Sequence, residues 1–158
     1  MTDSANRHPL GCDSLLGRVG WWGVSHVPDG WEFAHEFGIR KLEGGLQVAN
    51  IRLSEDVLPA GKSLAPYLVA QKTLFERTFA NPKIAGPSAI AFPGADEAAL
   101  LFLKHGEREG EPVVMQSQTY ARHGRWIGVV TFTATAESFP RLKPDYQSFA
   151  AGLQINDW

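Results

Sequence analysis

The amino-acid sequence predicts an α+β protein, a twisted antiparallel sheet flanked by helices. Three observations carry that reading: a two-sided hairpin pattern over 113–135, two amphipathic helical stripes, and a chain order of strands, helix, strands, helix. That order suits helices laid on an antiparallel sheet, whereas a βαβ fold would alternate helices with single strands.

The hairpin is the strongest signal. Val113, Met115, Ser117 and Thr119 alternate with Val114, Gln116, Gln118 and Tyr120. After a turn at Arg122-His123-Gly124-Arg125, Ile127, Val129, Thr131, Thr133 and Thr135 alternate with Gly128, Val130, Phe132 and Ala134. Successive strand side chains point to opposite faces, so each face mixes apolar and small polar groups. A sheet of this kind packs helices on one side and offers a surface to a partner on the other. Which face is outward stays open, because a one-residue register slip exchanges the two.

The remaining elements follow in order. Residues 1–17 read as a loose polar arm and 18–158 as a single domain. Val27-Pro28-Asp29-Gly30 presets a turn into Trp31 through the fixed proline φ and the glycine. Phe33–Arg40 reads as a strand interrupted by Lys41-Leu42-Glu43-Gly44-Gly45, and Leu46–Leu53 alternates as another. Ser63 is placed to N-cap a helix whose stripe comprises Leu64, Tyr67, Leu68, Gln71, Leu74, Phe75 and Phe79, closed by Asn81-Pro82. Ile84–Phe92 and Glu97–His105 read as strands, and Glu107–Pro112 as a polar turn whose acidic run is a solvated loop. A last helix follows Pro140, with Pro144 in its first turn and a stripe of Leu142, Tyr146, Phe149, Ala150 and Leu153.

Composition bounds the function. With 158 residues, 44% hydrophobic and 20% charged, the chain is an ordinary globular protein. A net charge of -2 and scattered arginines argue against nucleic-acid binding, which needs a basic stripe. The single cysteine, Cys12, excludes an intramolecular disulfide and fits a reducing compartment. Leu10-Gly11-Cys12 has the look of a lipoprotein cleavage site, but Thr2–Pro9 supply no apolar region before it. There is no apolar run of about twenty residues, so stable membrane insertion is not expected and a cytoplasmic location is.

Catalytic and metal chemistry find little footing. His8, His26, His35, His105 and His123 match no metal-ligand spacing. Ser25 directly precedes His26 rather than facing it, Cys12 lies in the arm, and Gly44-Gly45 leads into a strand where a phosphate loop needs a helix. No catalytic residue, metal ligand or cofactor is assigned. Of the five tryptophans, Trp31 and Trp126 are expected in the core and Trp158 at a neighbour or dimer contact, with Trp21 and Trp22 beside the arm.

Several segments, taken in order, resemble the DcrB-like branch of the PsbP-like α/β/α sandwich superfamily. They are Pro28-Asp29-Gly30-Trp31, Val48-Ala49-Asn50-Ile51-Arg52-Leu53-Ser54-Glu55, Gly61-Lys62-Ser63-Leu64 with Tyr67, and Ile84-Ala85-Gly86-Pro87-Ser88. Gln116-Ser117-Gln118 and Val130-Thr131-Phe132-Thr133-Ala134-Thr135 complete the resemblance, which covers about 25 to 155. It implies an antiparallel sheet with helices on its faces and no cofactor. The missing lipoprotein signal points within that family to its cytoplasmic members, the Eag-type chaperones of type VI secretion. These hold the transmembrane helices of toxin effectors, usually as dimers. The polar arm with Trp21-Trp22 has no counterpart in the family.

The expected function is thus a non-enzymatic cytoplasmic chaperone or adaptor that binds an apolar helix of a partner protein, with a homodimer as the assembly the resemblance suggests. The expected partner-binding residues are Val114, Gln116, Gln118, Val129, Thr131 and Thr133, extended by Leu101 and Leu103 of the neighbouring strand. The competing reading for each apolar member is core beneath a helix. The alternative function is a small-molecule or lipid carrier using the same concave sheet face.

Overall fold

The alternating segments of the hairpin become the two long strands near the middle of a seven-stranded sheet. The computed structural model describes residues 17–19, 22–24, 26–34, 38–106 and 109–155. Within them the chain runs β1 (Gly17–Val19), β2 (Trp22–Val24), β3 (Trp31–Ala34), β4 (Gly38–Glu43), β5 (Leu46–Val57) and helix α1 (Leu64–Thr78). It continues through β6 (Lys83–Ala89), β7 (Glu97–His105), β8 (Val114–His123), β9 (Trp126–Thr135), helix α2 (Phe139–Ala151) and β10 (Leu153–Ile155). The main sheet has the order β3-β4-β5-β9-β8-β7-β6, with antiparallel pairing between all neighbours. β1, β2 and β10 form a separate three-stranded sheet that sequence periodicity did not reveal, its strands being three residues each.

Each face of the main sheet buries its own core. On one side Ile51, Leu53, Val130, Phe132 and Ala134 pack against Phe139, Leu142, Tyr146 and Phe149 of α2. Phe132 is the hub, its ring 5.0 Å from Tyr146 in a near-parallel stack and 4.7 Å from Phe139. Trp31 closes this core and donates its indole N–H to Asp145 of α2 at 2.7 Å. On the other side Leu64 and Leu68 of α1 meet Ala99, Leu101, Leu103, Tyr120, Ile127 and Val129. The polar residues placed under α2 are satisfied there: buried Thr119 shares a 2.8 Å hydrogen bond with the Tyr146 hydroxyl, whose pKa burial pushes up.

The turns follow their residue chemistry. Gly30 at φ 77° allows the Trp31 N–H to reach the Pro28 carbonyl at 3.1 Å. Gly124 at φ 59° turns the hairpin so that His123 pairs with Trp126.

Several expectations need correction. The segment read as one strand over Phe33–Arg40 is two strands, and Lys41–Glu43 continue β4, leaving only Gly44-Gly45 as the turn. The Ser63 hydroxyl makes no capping bond; the Leu64 N–H instead donates to Glu97 Oε2 at 3.1 Å, so a carboxylate from β7 meets the helix end. Leu74 is 52% exposed because α1 rests on the sheet through Leu64 and Leu68. α2 begins at Phe139, whose buried ring anchors the start, which places Pro140 in the first turn and Pro144 inside the helix. Trp126 is 47% exposed, since it opens β9 at the sheet end and pairs with the likewise exposed Val57. The arm 1–16, Cys12, Trp21, Ser25, His8, His35, Glu107 and Trp158 lie outside the described residues, and Gly17 already belongs to β1.

Candidate functional site

The register of the sheet brings the expected site residues onto one face. Leu101, Gln118 and Thr131 stand side by side across β7, β8 and β9, followed by Arg52 of β5. The next rung reads Leu103, Gln116, Thr133 and Asn50. Val129 pairs with Tyr120 beside the first rung, and Val114 pairs with Thr135 beyond the second. All of these side chains point to the α1 side, because directly paired strand residues share a face.

Burial then divides the set. Leu101 and Leu103 are 0% and 1% exposed, and Val129 is 8%. They are core beneath α1 and present no surface, so the binding role expected of them is replaced by packing. Gln118 is buried as well. Val114, Gln116, Thr131 and Thr133 are partly exposed, and Asn50 and Ser54 continue the strip towards exposed Arg52. Chemistry thus grades across each rung, from leucine under the helix, through amide and hydroxyl, to a polar or charged outer end.

The amides are tied into a line along β8. The Tyr120 hydroxyl donates to Gln118 Oε1, and Gln118 Nε2 donates to Gln116 Oε1 at 3.2 Å. Because Gln118 uses its carbonyl inward and its amide towards Gln116, the hydrogen-bonding capacity of the line is directed to the exposed end. Burial pushes the Tyr120 hydroxyl above its ordinary range, as burial and the Asp56 carboxylate push up Tyr67, so both remain neutral phenols. The Tyr67 ring meets Tyr120 edge-on at 6.1 Å and donates its hydroxyl to Asp56 Oδ2 at 2.9 Å, fastening α1 to β5.

A second cluster lies where β7 begins. Arg122 Nε donates to Glu97 Oε2 at 2.5 Å, and its Nη1 reaches the Gly124 carbonyl at 2.7 Å. The Arg122 hydrogen bond, with the Leu64 N–H second, holds the Glu97 carboxyl below its usual range. Asp96 accepts from the Gly124 N–H at 2.7 Å. The cluster joins the hairpin turn, the start of β7 and the first turn of α1, with the one Arg122 guanidinium shared between the Glu97 and Asp96 carboxylates. Beside it an open groove of about 380 Å³ runs between α1 and β6, lined by Leu64, Leu68, Pro87, Ala99 and Glu97 among others.

The described histidines do not converge. His26 shares a 2.9 Å hydrogen bond with Ser148, His105 stacks on Phe79 at 4.1 Å, and His123 ends β8 at the opposite end of the sheet from His105. Among the described residues no cluster of His, Cys, Asp or Glu is arranged to hold a metal, and no helix is long and apolar enough to cross a membrane.

No family model matches the sequence, and no curated protein does. Solved structures resemble the fold. The protein of unknown function PA94 from Pseudomonas aeruginosa aligns with a TM-score of 0.65 at 22% identity, covering 84% of this chain and 90% of its own. LpqN of Mycobacterium tuberculosis, involved in cell envelope biogenesis, aligns at 0.60 and 16%, covering 89% of this chain and 87% of its own. The cyanobacterial PsbP, CyanoP, from Synechocystis aligns at 0.55 and 11%, covering 86% and 87%. The chain has the PsbP-like fold. The expected sheet with helices on its faces therefore stands, and at these identities the likeness concerns the PsbP-like fold alone.

Sequence periodicity found the hairpin members of the strip but not Asn50 and Arg52. Their strand was legible from its alternation; its place beside β9 was not, since no local signal states which strands pair over long separations.

Proposed function

We propose that the chain is a non-enzymatic binding protein, an adaptor or chaperone that receives an apolar, transmembrane-like segment of a partner on the α1-side strip. One observation carries the reading: the two adjacent rungs whose outer halves, Thr131-Arg52 and Gln116-Thr133-Asn50, keep side chains partly or fully exposed on the α1 side. An apolar helix in water needs a substitute for lipid that also accepts its few polar groups. Threonine methyls and Val114 supply apolar contact, while the Gln116 amide and the threonine hydroxyls supply hydrogen bonds. We extend the reading, through the sequence resemblance, to the DcrB-like branch and the cytoplasmic, dimeric Eag-type chaperones of type VI secretion.

The test is capture of a partner from the native host by the wild type and by Thr131→Asp/Thr133→Asp. Both positions are partly exposed, so the variant is expected to unfold cooperatively. Loss of a captured protein that carries an apolar helix of about twenty residues supports the reading. Equal capture by a folded variant contradicts it. A small-molecule carrier is the second reading, supported by the apolar groove between α1 and β6.

A further inference from the structure

The open groove between α1 and β6, about 380 Å³ in volume, is apolar except for one charged side chain. Leu64 and Leu68 line it from α1, Pro87 and Ala89 from β6, and Ala99 and Glu97 from β7. Ala89 and Ala99 stand opposite each other in the β6–β7 ladder. Their methyl groups leave open the kind of space that Leu101 and Leu103 fill beneath the helix further along β7.

Glu97 is the charged member of that lining. Its Oε2 takes both protein donors, Arg122 Nε at 2.5 Å and the Leu64 N–H at 3.1 Å. Among the described residues its Oε1 accepts no hydrogen bond. Arg122 also reaches Asp96 at 3.4 Å, so one guanidinium answers two carboxylates. A carboxylate at a helix N-terminus has an ordinary use, since it meets an orphan N–H and the positive end of the dipole. That use engages Oε2. It accounts neither for the second oxygen nor for the apolar space beside it. The Glu97 side chain is 40% exposed, so a donor can approach while Arg122 stays in place. A cationic donor suits it best, gaining a charge-assisted hydrogen bond and supplying the cluster's second positive charge. An anion would meet the Glu97 carboxylate and find the Leu64 N–H already taken.

We propose that the groove binds a small amphiphilic amine, its protonated ammonium donating to Glu97 Oε1 and its apolar body lying along Leu64, Leu68, Pro87 and Ala89. The volume falls near the lower end of the roughly 300–1,000 Å³ of small-ligand sites. The assignment rests on the carrier reading of this groove and gives it a ligand class. The partner strip on β8, β9 and β5 takes no part in it.

The experiment titrates hexylammonium, hexanol and hexanoate separately into the full chain at neutral pH. It follows the Kd and the backbone amide signals of Ala89 and Ala99. Glu97→Gln removes the charge and keeps an oxygen for the Leu64 N–H; Ala89→Leu fills the groove and keeps the carboxylate. The expected result is saturable hexylammonium binding that shifts both signals, with hexanol and hexanoate at least about tenfold weaker. Glu97→Gln is expected to weaken hexylammonium binding about tenfold, and Ala89→Leu to abolish it. Hexanol binding as tight as hexylammonium binding overturns the role of the cation and leaves the groove a carrier site. Equally tight hexanoate binding, or undiminished hexylammonium binding by either folded variant, overturns the proposal. If the wild type binds neither hexylammonium nor hexanol, the proposal and the carrier reading fall together. Where a variant fails to fold, the wild-type order of the three ligands decides.

Discussion

Gln118 stands directly opposite Thr131 across the β8–β9 ladder, and the burial boundary of the α1 face passes between them. On the Gln118 side the rung continues into Leu101 and the core under α1; on the Thr131 side it continues into exposed Arg52. A single rung thus joins packing to available surface.

The first prediction separates the two ends of the α1 stripe. Leu68 is buried against the sheet and Leu74 is 52% exposed. Leu68→Ala is expected to destabilise by about 2–5 kcal/mol and Leu74→Ala by no more than about 0.5 kcal/mol. Denaturant unfolding of the two variants reads the difference directly.

The link from Trp31 to α2 gives a second. Trp31→Phe keeps most of the buried ring and removes the indole donor to Asp145. The expected loss is about 1–2 kcal/mol, since the acceptor is a carboxylate that is only partly buried. Asp145→Asn in the same background should add little, because the bond is already gone.

Beneath α2, Tyr146→Phe removes the hydroxyl that satisfies buried Thr119. The stack on Phe132 survives, so the cost is the unmade hydrogen bond, about 1–2 kcal/mol. Adding Thr119→Val should recover part of it, which a double-mutant cycle measures.

Acid sensitivity follows from Glu97. Its folded-state pKa lies below the unfolded value, through the Arg122 hydrogen bond and then the Leu64 N–H. The ionised carboxylate therefore stabilises the fold above its unfolded pKa of about 4.3, and that contribution drains as pH falls through the lower folded value. Wild-type stability should drop more steeply than that of Glu97→Gln over this acidic window. Parallel curves from chemical unfolding at stepped pH would remove Glu97 from the account.

Much of the fold was legible in the sequence, for local reasons. Alternation marked β7, β8 and β9 almost to the residue, and helical spacing marked α1, because side-chain period is a property of the chain itself. What failed depended on distant partners. Glu97 replaces Ser63 as the group at the end of α1, and nothing near Ser63 announces it. The same holds for the strip: the strand of Asn50 and Arg52 was visible, while its pairing with β9 was settled only by the register. Leu101 and Leu103 were assigned to binding because alternation gives a face but not what covers it. Trp126 shows the converse, a residue type that favours burial left exposed where the sheet ends.

The central claim is that the α1-side strip receives an apolar segment of a partner. The most direct measurement is a map of backbone amide shifts across the sheet on adding a detergent-solubilised peptide of about twenty apolar residues. The account predicts saturable shifts centred on Gln116, Thr131, Thr133 and Asn50, reduced in Thr131→Asp/Thr133→Asp. Shifts confined to Leu64, Ala89 and Ala99 in the α1–β6 groove, with the strip unmoved, would contradict it.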